Sequence, residues 1–143
     1  MRFLVLLLVA ALGSAAEHRL EWTTDHELVV HATLDGRACL LLIDTGATHS
    51  VLDKAFCVRQ GMALKSVAGS TTTVSGTTRG VELVATPPRI VGAGAGWTDF
   101  TAVDLAQRNH DAAEPIVGIL GADYLRWSGA VLDFPNLKLT TER

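Results

Sequence analysis

Residues 41–52 read LLIDTGATHSVL, and this stretch constrains the fold more than any other. Leu41, Leu42 and Ile43 run straight into the carboxylate of Asp44, Thr45-Gly46 follow, and the chain turns apolar again at Val51-Leu52. An ionisable group at the end of a buried strand is costly unless the carboxylate is hydrogen-bonded or reaches solvent. A lone Asp has an ordinary explanation, since Asp opens turns and caps helices. Here the neighbours add a small hydroxyl, a glycine free of Cβ constraint and an apolar return. A sharp turn with these parts holds the carboxylate at the floor of a cleft, with backbone groups close by. The Asp-Thr-Gly occurs once in the chain.

The flanking sequence reads as strands. ELVVHATL (27–34) and RACLLLID (37–44) flank Asp35-Gly36, a strong hairpin signal, which puts Asp44 at the end of the second strand. That strand is apolar at nearly every position from Ala38 to Ile43, as burial on both faces requires. VAGSTTTVSGTTRG (67–80) combines strand-favouring Thr and Val with turn glycines and predicts a mobile hairpin. VELVAT continues as a strand until Pro87-Pro88, RIVGAGAGW turns, and DFTAVDL is a further strand. After the polar loop QRNHDAAEP, IVGIL runs into Gly121, with a short helix from Ala122 to about Trp127 closed by Gly129. AVLDF, a Pro-Asn turn and LKLTT finish the chain. Many short strands and one short C-terminal helix predict an all-β domain.

The first sixteen residues have the form of an export signal: Arg2, an apolar run from Phe3 to Leu12, then Ser14-Ala15-Ala16 before Glu17. A spanning anchor needs about 20 apolar residues, and Glu17, His18 and Arg19 arrive too early for that. The expectation is a cleaved leader over 1–16, one domain over 17–143, and an exported protein, periplasmic or secreted, without membrane attachment after cleavage. Formal net charge is -3 with lysines and arginines scattered, which excludes a nucleic-acid-binding surface of the usual kind. Cys39 and Cys57 are the two cysteines. In an oxidising compartment they either bridge across the Asp44 turn or remain buried thiols, and spacing does not decide between these.

GAGAGW (92–97) lacks the Gly-x-Gly-x-x-Gly spacing and the following helix that a dinucleotide loop needs. The five histidines show no metal-ligand spacing, so no metal or organic cofactor is implied. His49 alone lies near the expected cleft. Asp123 reads as a helix-start residue, Asp133 as a turn tether, and Tyr124 with Trp127 as core packing. Ser50 is outside any Gly-x-Ser-x-Gly, which disfavours a serine nucleophile.

LLIDTGATHSVL, followed much later by IVGILGADYL, resembles the retropepsin-like aspartic proteases, including their small exported bacterial members. The resemblance implies an acid protease fold, a closed β-barrel, in which Asp44 is catalytic and Thr45-Gly46 complete the active-site loop. Ala47 and Thr48 would touch substrate, together with Val74, Ser75 and Gly76 of a flap hairpin. Ile119, Leu120 and Gly121 would pack beside the loop. The implied activity is peptide-bond hydrolysis by two aspartates that share one proton, because like charges about 3 Å apart cannot both ionise. One Asp44 per chain then requires a homodimer with the site on its two-fold axis, Thr45 linking the two loops. Activity is expected to peak in acid to mildly acid conditions.

Two features depart from the retroviral pattern. Thr48 and Ala122 stand where those enzymes carry an Asp and an Arg that brace the dimer, and the flap has no aromatic residue. Flap and floor would then hold an extended peptide largely through backbone hydrogen bonds. A catalytically silent domain of the same fold, binding or assembling with a partner, is the other class of function, since fold does not settle activity.

Overall fold

The computed structural model describes residues 15–73 and 76–143. Most of the expected leader, and Val74 and Ser75 of the expected flap, lie outside the described residues. The elements in chain order are β1 (Ala16–Trp22), β2 (Leu28–Leu34), β3 (Arg37–Ile43), β4 (Val51–Asp53), α1 (Lys54–Arg59), β5 (Leu64–Thr73) and β6 (Gly76–Val84). They continue with β7 (Ile90–Gly92), β8 (Thr101–Val103), β9 (Ile116–Leu120), α2 (Ala122–Trp127), β10 (Val131–Asp133) and β11 (Lys138–Thr141).

Asp35 and Gly36 both take positive φ, 47° and 81°, the backbone that a two-residue hairpin matching strand twist demands. The turn sets β2 against β3 in register from Val29↔Leu42 to Leu34↔Arg37. β3 then takes β9 as a parallel partner on its other side. With neighbours on both edges, β3 is buried from Cys39 to Ile43. Its alternate residues serve two cores: Cys39, Leu41 and Ile43 join the main cluster, while Leu40 and Leu42 pack with Val29 and Ile116 on the opposite face.

The main core is completed by Leu20, Leu34, Leu52, Phe100, Leu120 and Leu139, all nearly inaccessible. Tyr124 is 1% exposed and packs edge-on against Trp97, ring centroids 6.3 Å apart, with Trp127 tilted beside both. Its hydroxyl accepts a hydrogen bond from the Gly94 amide at 2.8 Å, so the GAGAGW turn is pinned to the core. This confirms the packing role expected for Tyr124 and Trp127, and no helix follows these glycines.

The described strands form one 11-stranded sheet, ordered β10-β11-β1-β2-β3-β9-β4-β8-β6-β5, with β7 joined to β2. The all-β class holds. Two details are corrected. The pairing is an open path ending at β10 and β5 rather than a closed barrel, because the β5–β6 hairpin spends its pairing on itself and β8. Among the described residues there are two helices rather than one. α1 is capped by Asp53, whose Oδ2 accepts from Phe56 N at 2.9 Å, and the chain leaves it through Gly61 at φ 68°. Among the described residues no helix is long and apolar enough to cross a membrane.

Candidate active site

β3 pairs with β9 as far as Ile43↔Leu120, and the Asp44 amide extends the ladder by donating to Leu120 O at 3.1 Å. The chain then turns. Asp44 Oδ1 accepts from Gly46 N at 2.8 Å, and Asp44 O accepts from Ala47 N at 3.3 Å. These bonds answer why a buried strand tolerates a terminal carboxylate: one oxygen is held by the turn and the half-buried side chain still meets solvent. A Cβ on Gly46 would sit 3.2 Å from Asp44 Oδ1, so a side chain there would crowd the carboxylate. Thr45 and Thr48 are exposed, and Ala47 is half-buried.

β9 lies between β3 and β4, parallel to the first and antiparallel to the second (Val51↔Ile119, Leu52↔Gly118). The 44–50 loop therefore passes over the end of β9 and meets the 120–123 segment. Ala122 N donates to Ala47 O at 2.8 Å. A Cβ at Gly121 would lie 2.8 Å from Ala47 O and 2.9 Å from His49 O, closer than real contacts allow. Gly121 is there for that approach. Just before it, Ile119 pairs with Leu42 of β3 and Val51 of β4, and Leu120 with Ile43 of β3.

Asp123, read from sequence only as a helix-start residue, ties the two loops together. Its Oδ2 accepts from Ser50 N at 2.9 Å and its Oδ1 from Ser50 Oγ at 2.6 Å and Tyr124 N at 2.7 Å. Ser50 is fully buried, and its Oγ accepts in turn from Gly121 N at 3.0 Å. His49 Nδ1 stands 3.7 Å from Asp123 Oδ2 on an exposed ring, an ion pair only when the ring is protonated. The available signal was a serine immediately before an apolar strand, and an acid in the first turn of α2, which follows β9.

Thr45 borders an open groove of about 410 Å³ whose other walls include Ala122, Leu125, Arg126, Ala130 and Leu132. Elsewhere, the expected flap is the β5–β6 hairpin. Gly76 opens β6 opposite Thr73, and Thr72 Oγ1 bonds Thr77 Oγ1 at 3.0 Å across the strands. The bridge considered for Cys39 and Cys57 is not formed. Both are free and buried, and the Cys39 thiol donates to Ala32 O at 3.5 Å. Burial pushes each thiol up to about 11. Asp133 tethers its turn as expected, accepting from Asn136 N and Nδ2.

Comparison with known proteins places this geometry. No curated protein matches the chain significantly. A retropepsin-like aspartic protease from Rickettsia conorii superposes with a TM-score of 0.58 at 18% identity, over 90% of this chain and 92% of that one. The retroviral protease-like domain of Ddi1 from Leishmania major gives 0.47 at 21% identity, over 79% and 89%. An EIAV protease bound to an inhibitor gives 0.47 at 21%, over 80% and 99%. The family model described as aspartyl protease matches residues 30–124, a span running from β2 through the Asp44 loop to Tyr124 beside Asp123. With the sequence match covering both loops and the Rickettsia structure matching the fold, the chain belongs to the aspartyl protease family.

Proposed function

We propose that this protein is an exported aspartic endopeptidase that works as a homodimer, each copy contributing Asp44. The observation that carries the reading is a half-buried Asp44 carboxylate, held by its own turn yet open to solvent, occurring in a single Asp-Thr-Gly per chain. Two such groups facing across a two-fold axis share a proton. The ionised partner takes a proton from a water molecule as its oxygen attacks the peptide carbonyl. The protonated partner gives its proton toward the carbonyl oxygen, forming a neutral gem-diol. The partner that took the water's proton then gives it to the leaving nitrogen while the other carboxylate takes a proton from a gem-diol hydroxyl, so the C–N bond breaks, the acid and amine products form, and the pair again holds one proton.

The pairing of copies is supported by what surrounds the loop. Thr45 is exposed at the lip of the groove. β10 ends the sheet path, and Val131 and Phe134 are 62% and 52% exposed beside it. Large apolar side chains on an open sheet edge mark a place for association. The β5–β6 hairpin is the proposed flap, with Gly76 opposite Thr73 where the described strands end and Ala47 and Thr48 on the floor, so the substrate is an extended peptide. The leader over 1–16 would route the protein out of the cytoplasm.

The test is Asp44→Asn assayed for peptide cleavage across pH, beside the wild type and with an aspartic-protease inhibitor such as pepstatin. The expected outcome is wild-type cleavage in acid to mildly acid conditions and loss of at least about a thousandfold in the variant. Cleavage retained by Asp44→Asn would remove the mechanism. A wild type that is monomeric and inert would instead favour the binding-domain reading.

A further inference from the structure

We infer that Asp123 and Ser50 are positioning residues that hold the Asp44 loop in its working geometry. The inference rests on the peptidase reading above for its catalytic consequence, but not for its structural content. Hydrogen bonds join the loop to residues 120–123 at four points. Asp44 N reaches Leu120 O at 3.1 Å, Ala122 N reaches Ala47 O at 2.8 Å, Gly121 N reaches Ser50 Oγ at 3.0 Å, and Ser50 reaches Asp123 through both its amide and its hydroxyl. The first three use the backbone of the later segment. Asp123 is the only member of that segment to contribute a side chain to them, and Ser50 is the hub, accepting from Gly121 while donating twice to the carboxylate.

The chemistry makes this more than an ordinary helix cap. α2 has no side-chain bond from its cap residue Gly121, and Asp123 does bond Tyr124 N within the helix. Two of its three accepted bonds nevertheless leave the helix for a residue 73 positions earlier. An ionised acceptor shortens and strengthens such bonds, and the 2.6 Å separation from Ser50 Oγ is of that kind. Thr48 and Ala122, where the retroviral pattern carries a charged brace, offer no side-chain charge here, and the tie between the two loops passes instead to Ser50 and Asp123. Because the 44–50 loop begins at the carboxylate and ends at Ser50, anchoring Ser50 limits how far Asp44 can swing. Misplacing a catalytic group by about 1 Å costs on the order of a hundredfold in rate.

Two measurements on the full chain, one independent of activity, test the inference with Asp123→Asn, Ser50→Ala and Ser50→Thr. In amide hydrogen exchange, Asp123→Asn and Ser50→Ala are expected to release Asp44, Gly46 and Ala47 amides by at least about tenfold while β2 and β3 keep wild-type protection. Loop protection unchanged in both variants overturns the inference. So does a loss spread evenly over the sheet, which would mean a merely structural role. In steady-state cleavage, kcat is expected to fall about tenfold to a hundredfold with KM nearly constant. Ser50→Thr, which keeps the hydroxyl, should recover most of it. Wild-type kcat in Asp123→Asn overturns the catalytic consequence. If the wild type cleaves nothing while loop protection still depends on Asp123, the peptidase reading fails and the positioning role stands.

Discussion

Asp44, Gly121 and the two cysteines each show how a side chain's setting decides its chemistry. Asp44 keeps one oxygen bonded to Gly46 N and the rest of its carboxylate toward solvent, the condition for handling a water molecule. Gly121 has an ordinary extended backbone and is a glycine only because Ala47 O and His49 O stand where a Cβ would go. Cys39 and Cys57 sit in the main core, where burial favours the neutral thiol and raises each to about 11 from 9.0. A thiol whose folded value lies above its unfolded one binds its proton more tightly in the folded state. These groups therefore contribute stability that is complete below 9.0 and lost as pH rises toward about 11. At about pH 8 both thiols should resist a thiol-reactive dye in the native protein and react as two equivalents on unfolding. Rapid native labelling, or no free thiol after unfolding, would contradict the buried free state.

Elements here depend on a few polar contacts at their ends. α1 has six residues, too few to be stable alone. Asp53 supports it from both directions: Oδ2 caps Phe56 N, and Oδ1 accepts from Leu105 N at 3.2 Å in the loop after β8. Asp53 is 7% exposed, so Asp53→Ala leaves two buried donors without partners. The expected cost is about 2 to 4 kcal/mol, read as a lower thermal midpoint, with Asp53→Asn intermediate because its amide oxygen can replace only one acceptor. A midpoint unchanged in the Ala variant would show that water satisfies both donors. The same logic separates α1 from α2 in sequence. α2 announced itself through Gly129, whose φ of 63° and bond from its amide to Arg126 O end the helix. α1 has only Asp53 at its start and Gly61, two residues beyond its end, as marks in the sequence.

The molecule as a whole is an open sheet with one carboxylate of the required kind, and its proposed work needs a second copy. Val131 and Phe134 are exposed at the β10 end of the sheet, so replacing each with Asp should change little in the isolated fold, within about 0.5 kcal/mol. If copies meet there, Val131→Asp/Phe134→Asp is expected to give a monomer by solution mass, with normal circular dichroism and no cleavage. A dimer that persists in this variant would move the interface elsewhere. Loss of activity by separation of intact subunits would differ plainly from the loss in Asp44→Asn, where the dimer should remain.

Much of this could be read along the chain because it depends on near neighbours. The Asp35-Gly36 turn, the two-sided burial of β3 and the abrupt Asp-Thr-Gly stop come from backbone preferences and apolar runs a few residues long. The family resemblance needed only the order of the two motifs. What waited for the folded chain were relations between distant residues. β9 inserts between β3 and β4, and that insertion alone brings Ser50 to Asp123 across 73 positions. The open path of the sheet and the free state of the thiols have the same origin: strand partners and sulfur environments are set by global packing, where many weak contacts compete, and no local pattern of residue types records which of them wins.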